Sequence, residues 1–116
     1  MKKFAANMLA VDQGVVGLIS DFDTGGDMWS GEGPRERRVD VTFAEPFRSM
    51  PTVHLSLQMF DMDHKHNQRF DLDADQITED GFSIVFRTWS DTRIARARAS
   101  WMAIGSARYS DDWDVD

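Results

Sequence analysis

The chain has 116 residues, a mass of 13.3 kDa and a formal charge of −7. That length supports one core, and it excludes a separate cofactor domain, a dinucleotide fold or an α/β barrel. The acidic balance argues against nucleic acid or an anionic lipid surface as the main partner, and the lack of cysteine excludes disulfides, thiol nucleophiles and Cys-ligated zinc.

In chain order, the start MKKFAANMLAV carries two lysines and only a short apolar run before Asp12. It reads as neither a secretory signal nor a transmembrane segment, and residues 1–10 are assigned to an N-terminal segment. VDQGVVGLIS (11–20) is the least regular strand candidate. The turn signals DTGGD (23–27) and GEGP (31–34) follow. RRVDVTF (37–43) alternates Val39, Val41 and Phe43 against Asp40 and Thr42. TVHLSLQMF (52–60) sets Val53, Leu55, Leu57 and Met59 against His54, Ser56, Gln58 and Phe60. QRFDLDA (68–74) alternates Phe70, Leu72 and Ala74 with charged residues, and GFSIVFRTW (81–89) turns Phe82, Ile84 and Phe86 inward.

RIARARASWMAIG (93–105) is the last strand candidate. Its alternation of Arg and Ala outweighs the helix propensity of those residues. Ala95, Ala97, Ala99, Trp101 and Ala103 share one face; Ile94, Arg96, Arg98, Ser100, Met102 and Ile104 share the other. The tail ARYSDDWDVD (107–116) is acidic, and its Trp113 is expected to dock locally or on a neighbour. Six short strands between turns predict an all-β fold, a six-stranded antiparallel β-sandwich over residues 11–106. The expected core is Val39, Val41, Phe43, Val53, Leu55, Leu57, Phe82, Ile84, Phe86 and Trp101.

The second face of the last strand mixes apolar and cationic residues. An oligomer interface accounts for it better than open solvent does, because arginine stems cover apolar surface while their heads pair with carboxylates. An ordinary amphipathic strand with scattered apolar residues is the alternative.

No nucleophile elbow, HExxH or phosphate-cradling loop occurs, and the sequence gives no enzyme. Asp61, Asp63, His64 and His66 lie within six residues, but one short hydrophilic turn leaves little room for metal geometry. They read as a solvated turn. Trp29 and Trp89 stand at strand ends beside small polar residues. A tryptophan there offers a flat apolar face and an N–H donor, which suits the C–H face and hydroxyls of a sugar. Glu32, Arg69 and Asp91 could supply the polar clamps. The same tryptophans could equally fill a core or an interface.

The stretches MWSGEGPRERRVDVTFAEPF (28–47), PTVHLSLQMFDMDHKHNQRFDLDA (51–74) and GFSIVFRTWSDTRIARARASWMAIG (81–105) together resemble the H-type lectin domain. Snail agglutinins and the C-terminal domain of discoidins are known members. The resemblance spans residues 11–105. It implies a trimer of sandwiches, no catalysis and no cofactor. It also implies a shallow pocket between protomers for galactose or N-acetylgalactosamine. By position, Glu32, flanked by Ser30 and Gly31, clamps sugar hydroxyls; Trp89 stacks, with Ser90 beside it; and Arg69 contributes from the adjacent protomer. Two positions depart from the snail agglutinins. Ser90 stands where they carry histidine, and Glu32 where they carry the shorter aspartate. The cysteine that joins two snail trimers is also absent, so a hexamer would need non-covalent packing. The expected function is multivalent glycan binding; the alternative is a structural or assembly module of a virion, fibre tip or adhesin with a protein partner.

Overall fold

The computed structural model describes residues 1–4 and 8–108. Six strands run β1 (Leu9–Ile19), β2 (Arg35–Thr42), β3 (Thr52–Met62), β4 (Asp71–Asp75), β5 (Gly81–Thr88) and β6 (Ile94–Ser106). They form two antiparallel three-stranded sheets, β1–β6–β3 and β2–β5–β4. The fold is the expected β-sandwich. The expected tail position of Trp113 lies outside the described residues.

The packing follows from the alternation. The inner face of β6 is lined by Ala97, Ala99 and Ala103, all buried. These small side chains leave room for large ones from the facing sheet. Phe82, Ile84 and Phe86 of β5 fill that room. Trp101 closes one end, edge-on to Phe82 with ring centroids 5.5 Å apart, and Phe43 packs edge-on to Phe47 at 5.0 Å. Offset and perpendicular ring pairs add to the area they bury.

Val39, Val41, Val53, Leu55 and Leu57 pack against this core but are only half-buried. They sit on β2 and β3, which are edge strands with one flank open. Val85, expected on the outside, is fully buried because β5 is central and Arg38 and Asp73 lie directly opposite it on both neighbours.

Strict parity breaks where β3 and β6 pair. The register shifts between Leu57 and Met59 and again between Asp61 and Met62. Phe60 stays exposed, as its place in the outer set predicts. The second shift sets Met62 opposite Ile94, and Ile94 is buried in the core rather than on the outer face. Ala95 is buried as well, beside Phe22 and Trp29. Bulges reverse the parity of a strand, and sequence alternation alone does not reveal where they fall. Residues 68–70, expected in a strand, precede β4. There Phe70 stacks on Phe86 at 5.6 Å.

Two four-residue helices, α1 (Asp21–Thr24) and α2 (Asp27–Ser30), replace the expected open turn at 23–27. Met28 of α2 is fully buried and plugs the core at this end.

The two outer faces differ. On β1–β6–β3, Leu9, Val11, Val15 and Met102 are 39–60% exposed, beside His54, Arg96 and Arg98. On β2–β5–β4 the face is an ion lattice: Arg38–Asp75 at 3.3 Å, Arg87–Glu36 at 3.1 Å and Arg87–Asp71 at 3.4 Å.

Candidate functional site

Three loops gather at one end of the sandwich: residues 20–34 between β1 and β2, 63–70 between β3 and β4, and 89–93 between β5 and β6. All six expected site residues lie on them. The fastening comes from residues that sequence reading did not single out.

Arg35 is the first fastener. It is buried and has no ion pair among the described residues. Its guanidinium donates to four carbonyls: Gly33 at 2.9 Å, Asp27 at 3.1 Å, Met28 at 3.2 Å and Ser90 at 3.4 Å. Gly33 N–H donates to the same Ser90 carbonyl at 2.8 Å. These bonds bring the Ser30–Gly31–Glu32 loop alongside Trp89–Ser90. Carrying the Val39–Val41 alternation back by twos places Arg37 and Arg35 on the inward face, but not the carbonyls that Arg35 reaches.

Arg37 fastens the other side of the same loop. It grips the buried Asp21 carboxylate at 2.9 and 3.2 Å, and Met28 N–H donates to Asp21 at 3.0 Å. Burial pushes the Asp21 pKa up, but the hydrogen bonds from Arg37 and Met28 and the Arg37 charge outweigh it and hold the carboxyl below its usual value.

The Arg69 loop is fastened by two threonines. Thr92 Oγ1 accepts from Arg69 N–H at 3.0 Å and donates to the Asn67 carbonyl at 2.6 Å. Thr88 Oγ1 donates to the Arg69 carbonyl. Asn67 also donates to Asp91 at 3.1 Å, and that side-chain bond is the main reason the Asp91 carboxyl lies below its usual range. Asp91, considered as a sugar clamp, is instead bound up in shaping the loop.

The expected contact residues themselves are open. Glu32, Arg69 and Ser90 are exposed, and Trp89 is 40% exposed. Among the described residues neither the Glu32 carboxylate nor the Arg69 guanidinium has a hydrogen bond or ion pair, so no Glu32–Arg69 bridge forms within one chain. Ser30 is committed elsewhere: its hydroxyl bonds the Gly25 and Gly26 carbonyls, each at 2.9 Å. Gly31 is a packing requirement, because a Cβ there would come 2.6 Å from the Asp27 carbonyl oxygen. Ser90 holds φ at 62°, in the left-handed region that non-glycine residues enter at a cost. That conformation aims its carbonyl at Gly33 and Arg35.

Trp29 lies apart from this group. Its ring meets Phe22 at 5.1 Å, beside Asp61, Asp63 and His64. Asp61 pairs with Arg96 at 2.9 Å, and Asp63 with His66 at 2.9 Å. Among the described residues, no group of three or more acidic, His or Cys side chains is arranged to hold a metal, and no helix is long and apolar enough to cross a membrane.

The architecture defines a β-sandwich that presents an aromatic, a carboxylate and a guanidinium on rigidly fastened loops. The chain belongs to the H-type lectin domain family, whose model matches residues 38–104. It is 57% identical over 108 residues to a protein of Fuscovulum blasticum described as ATP synthase subunits region ORF 7, covering 93% of this chain and 94% of that one. A discoidin-1 chain of Dictyostelium discoideum is 32% identical over 96 residues, 80% of this chain and 38% of its own. The structure of discoidin II from the same organism superposes with a TM-score of 0.75 at 21% identity, over 93% of this chain and 41% of that one. The chain therefore spans about two-fifths of the discoidin chains it matches.

Proposed function

We propose that the protein is a multivalent, non-catalytic carbohydrate-binding lectin for glycans of the galactose or N-acetylgalactosamine type. The observation that carries this reading is an exposed Trp89 together with a Glu32 that has no partner among the described residues, on two loops held together by Arg35. In this reading the indole supports the C–H face of the sugar and Glu32 accepts from two hydroxyls. Arg69 of a neighbouring protomer donates in a fixed fork. Ser30, Gly31 and Ser90 set the loop shape.

The neighbour enters through trimerisation. The outer face of β1–β6–β3, with Leu9, Val11, Val15 and Met102 open to solvent, is the surface that supports self-association. Cyclic closure would cover it with the same patch of the next protomer. Three equivalent sites then convert weak single-site affinity into avidity on a dense glycan surface.

Titration of Glu32→Gln and Arg69→Lys against galactose and N-acetylgalactosamine tests the site. Hydrogen bonds to charged groups contribute ~1.5–3 kcal/mol each, so either change should weaken binding tenfold or more. Parent-like binding by both variants, with the oligomer intact, would place the site elsewhere. The same exposed face also favours a second reading, an assembly module whose partner is protein. Retained self-association without any glycan binding would select it.

A further inference from the structure

A second feature adjoins Trp89. Pro34, Arg35 and Glu36 on one side and Arg87, Thr88 and Trp89 on the other line an open groove of about 440 Å³. That volume lies within the range of small-molecule sites. The groove runs along the ends of β2 and β5, where Glu36 pairs with Arg87 in the sheet register. Arg87, near the end of β5, and Trp89, just beyond it, both line the groove.

The floor and the walls are chemically distinct. The indole and Pro34 offer apolar surface. Arg87 is held as a flat plate, its Nε bonding Glu36 at 3.1 Å and its Nη1 bonding Asp71 at 3.4 Å. The remaining guanidinium N–H groups can donate outward, and the second oxygen of each carboxylate can accept. Such a surface matches the mixed hydroxyl pattern of a pyranose. Arg35 and Arg87 balance Glu36 and Asp71 at the groove itself, so the acidic excess comes from the sheet face beside it. The sheet face beyond it adds Asp40, Asp73 and Asp75 against Arg38 alone.

We infer that the glycan site continues past Trp89 into this groove, which takes the second residue of an uncharged oligosaccharide and repels an acidic one. This inference rests on the lectin reading of Trp89 and Glu32. The sugar in the first position sits against one part of the indole, and the next residue lies over Pro34 and the Glu36–Arg87–Asp71 plate.

The test is calorimetric titration of methyl galactoside, lactose, melibiose and a galactosyl glucuronide, against the parent and against Arg87→Ala and Glu36→Gln. Lactose and melibiose present the second ring through different linkages. At least one should bind fivefold or more tighter than methyl galactoside. Arg87→Ala and Glu36→Gln should remove that advantage while leaving methyl galactoside affinity unchanged. The glucuronide should bind more weakly than the neutral disaccharides, and its deficit should shrink with added salt. If methyl galactoside binds but neither disaccharide gains, or the gain survives both variants, the extension is wrong and the first site stands. If no galactoside binds at all, the lectin reading of this site fails and the extension falls with it.

Discussion

The two outer faces of this sandwich are built from the same alternation and end with opposite chemistry. On the outer face of β2–β5–β4, Arg87 meets carboxylates of both adjacent strands, Arg38 reaches across β5 to Asp75, and Ser83 Oγ donates to Asp40 at 2.6 Å. That face is satisfied within one chain and suited to water. On β1–β6–β3, Arg96 pairs with Asp61, but among the described residues Arg98 bonds only the Gln58 amide oxygen, and Leu9, Val11, Val15 and Met102 stand open. Exposed apolar residues clustered with cations mark a surface that another surface covers. The difference shows that one alternation can leave one face satisfied within the chain and the other with open apolar surface, the face proposed for self-association.

Both faces rest on one core, so the largest effect should come from breaking it. Phe86 is fully buried and stacks on Phe70. Phe86→Ala should cost ~3–5 kcal/mol of unfolding free energy by urea titration, a large share of a small domain's stability. A shift of only a degree or two in melting temperature would mean the inward face of β5 is misassigned.

The comparison of faces predicts next that charge is tolerated on one side only. Met102→Glu should reduce the mass in light scattering from about three times 13.3 kDa toward a single chain. Asp73→Lys, on the opposite face, should leave the mass unchanged. Equal outcomes for the two substitutions would remove the distinction between the faces.

A third effect separates the buried ion pair from the exposed lattice. The folded state holds Asp21 ionised more firmly than the unfolded chain does, because its pKa lies below the usual 3.8. Its stabilisation is therefore complete above that value and is lost as pH falls through the lower folded value. Unfolding midpoints between pH 5 and pH 2 should drop more steeply for the parent than for Asp21→Asn. The smallest effect belongs to the lattice itself. Arg87→Ala removes two ion pairs between groups that are 41–57% exposed, and it should change stability by less than ~1 kcal/mol.

How much of this was legible in the sequence depended on periodicity. Phe82, Ile84, Phe86 and the core alanines of β6 were found by twos, because central strands in a sandwich keep parity over most of their length. Parity failed where β3 bulges: nothing in TVHLSLQMFDM marks the shifts, the second of which accompanies the turn of Ile94 into the core. It also failed at the edges, where Val39 and Leu55 face inward without being covered. Of the proposed site, the sequence offers Glu32, Arg69 and Trp89 as candidates through their chemistry and the family pattern, and the fold places them on loops at one end of the sandwich. Arg35, Thr88 and Thr92 were not legible, since a fastening role depends on which carbonyls the fold brings within reach. Arg35 and Arg37 share the parity of Val39, but arginines on an apolar face make sense only once Asp21 and four carbonyls are found opposite them.

The most direct test of a site shared between protomers is a mixing experiment. Glu32→Gln chains keep Arg69, and Arg69→Ala chains keep Glu32. Each alone should bind N-acetylgalactosamine or galactose at least tenfold more weakly than the parent. Unfolded, mixed and refolded together, they should form trimers in which about a quarter of the sites regain both intact residues. Calorimetry should then report roughly that fraction of parental binding capacity with parental affinity. No recovery in mixed trimers, or full binding by either variant alone, would contradict the account.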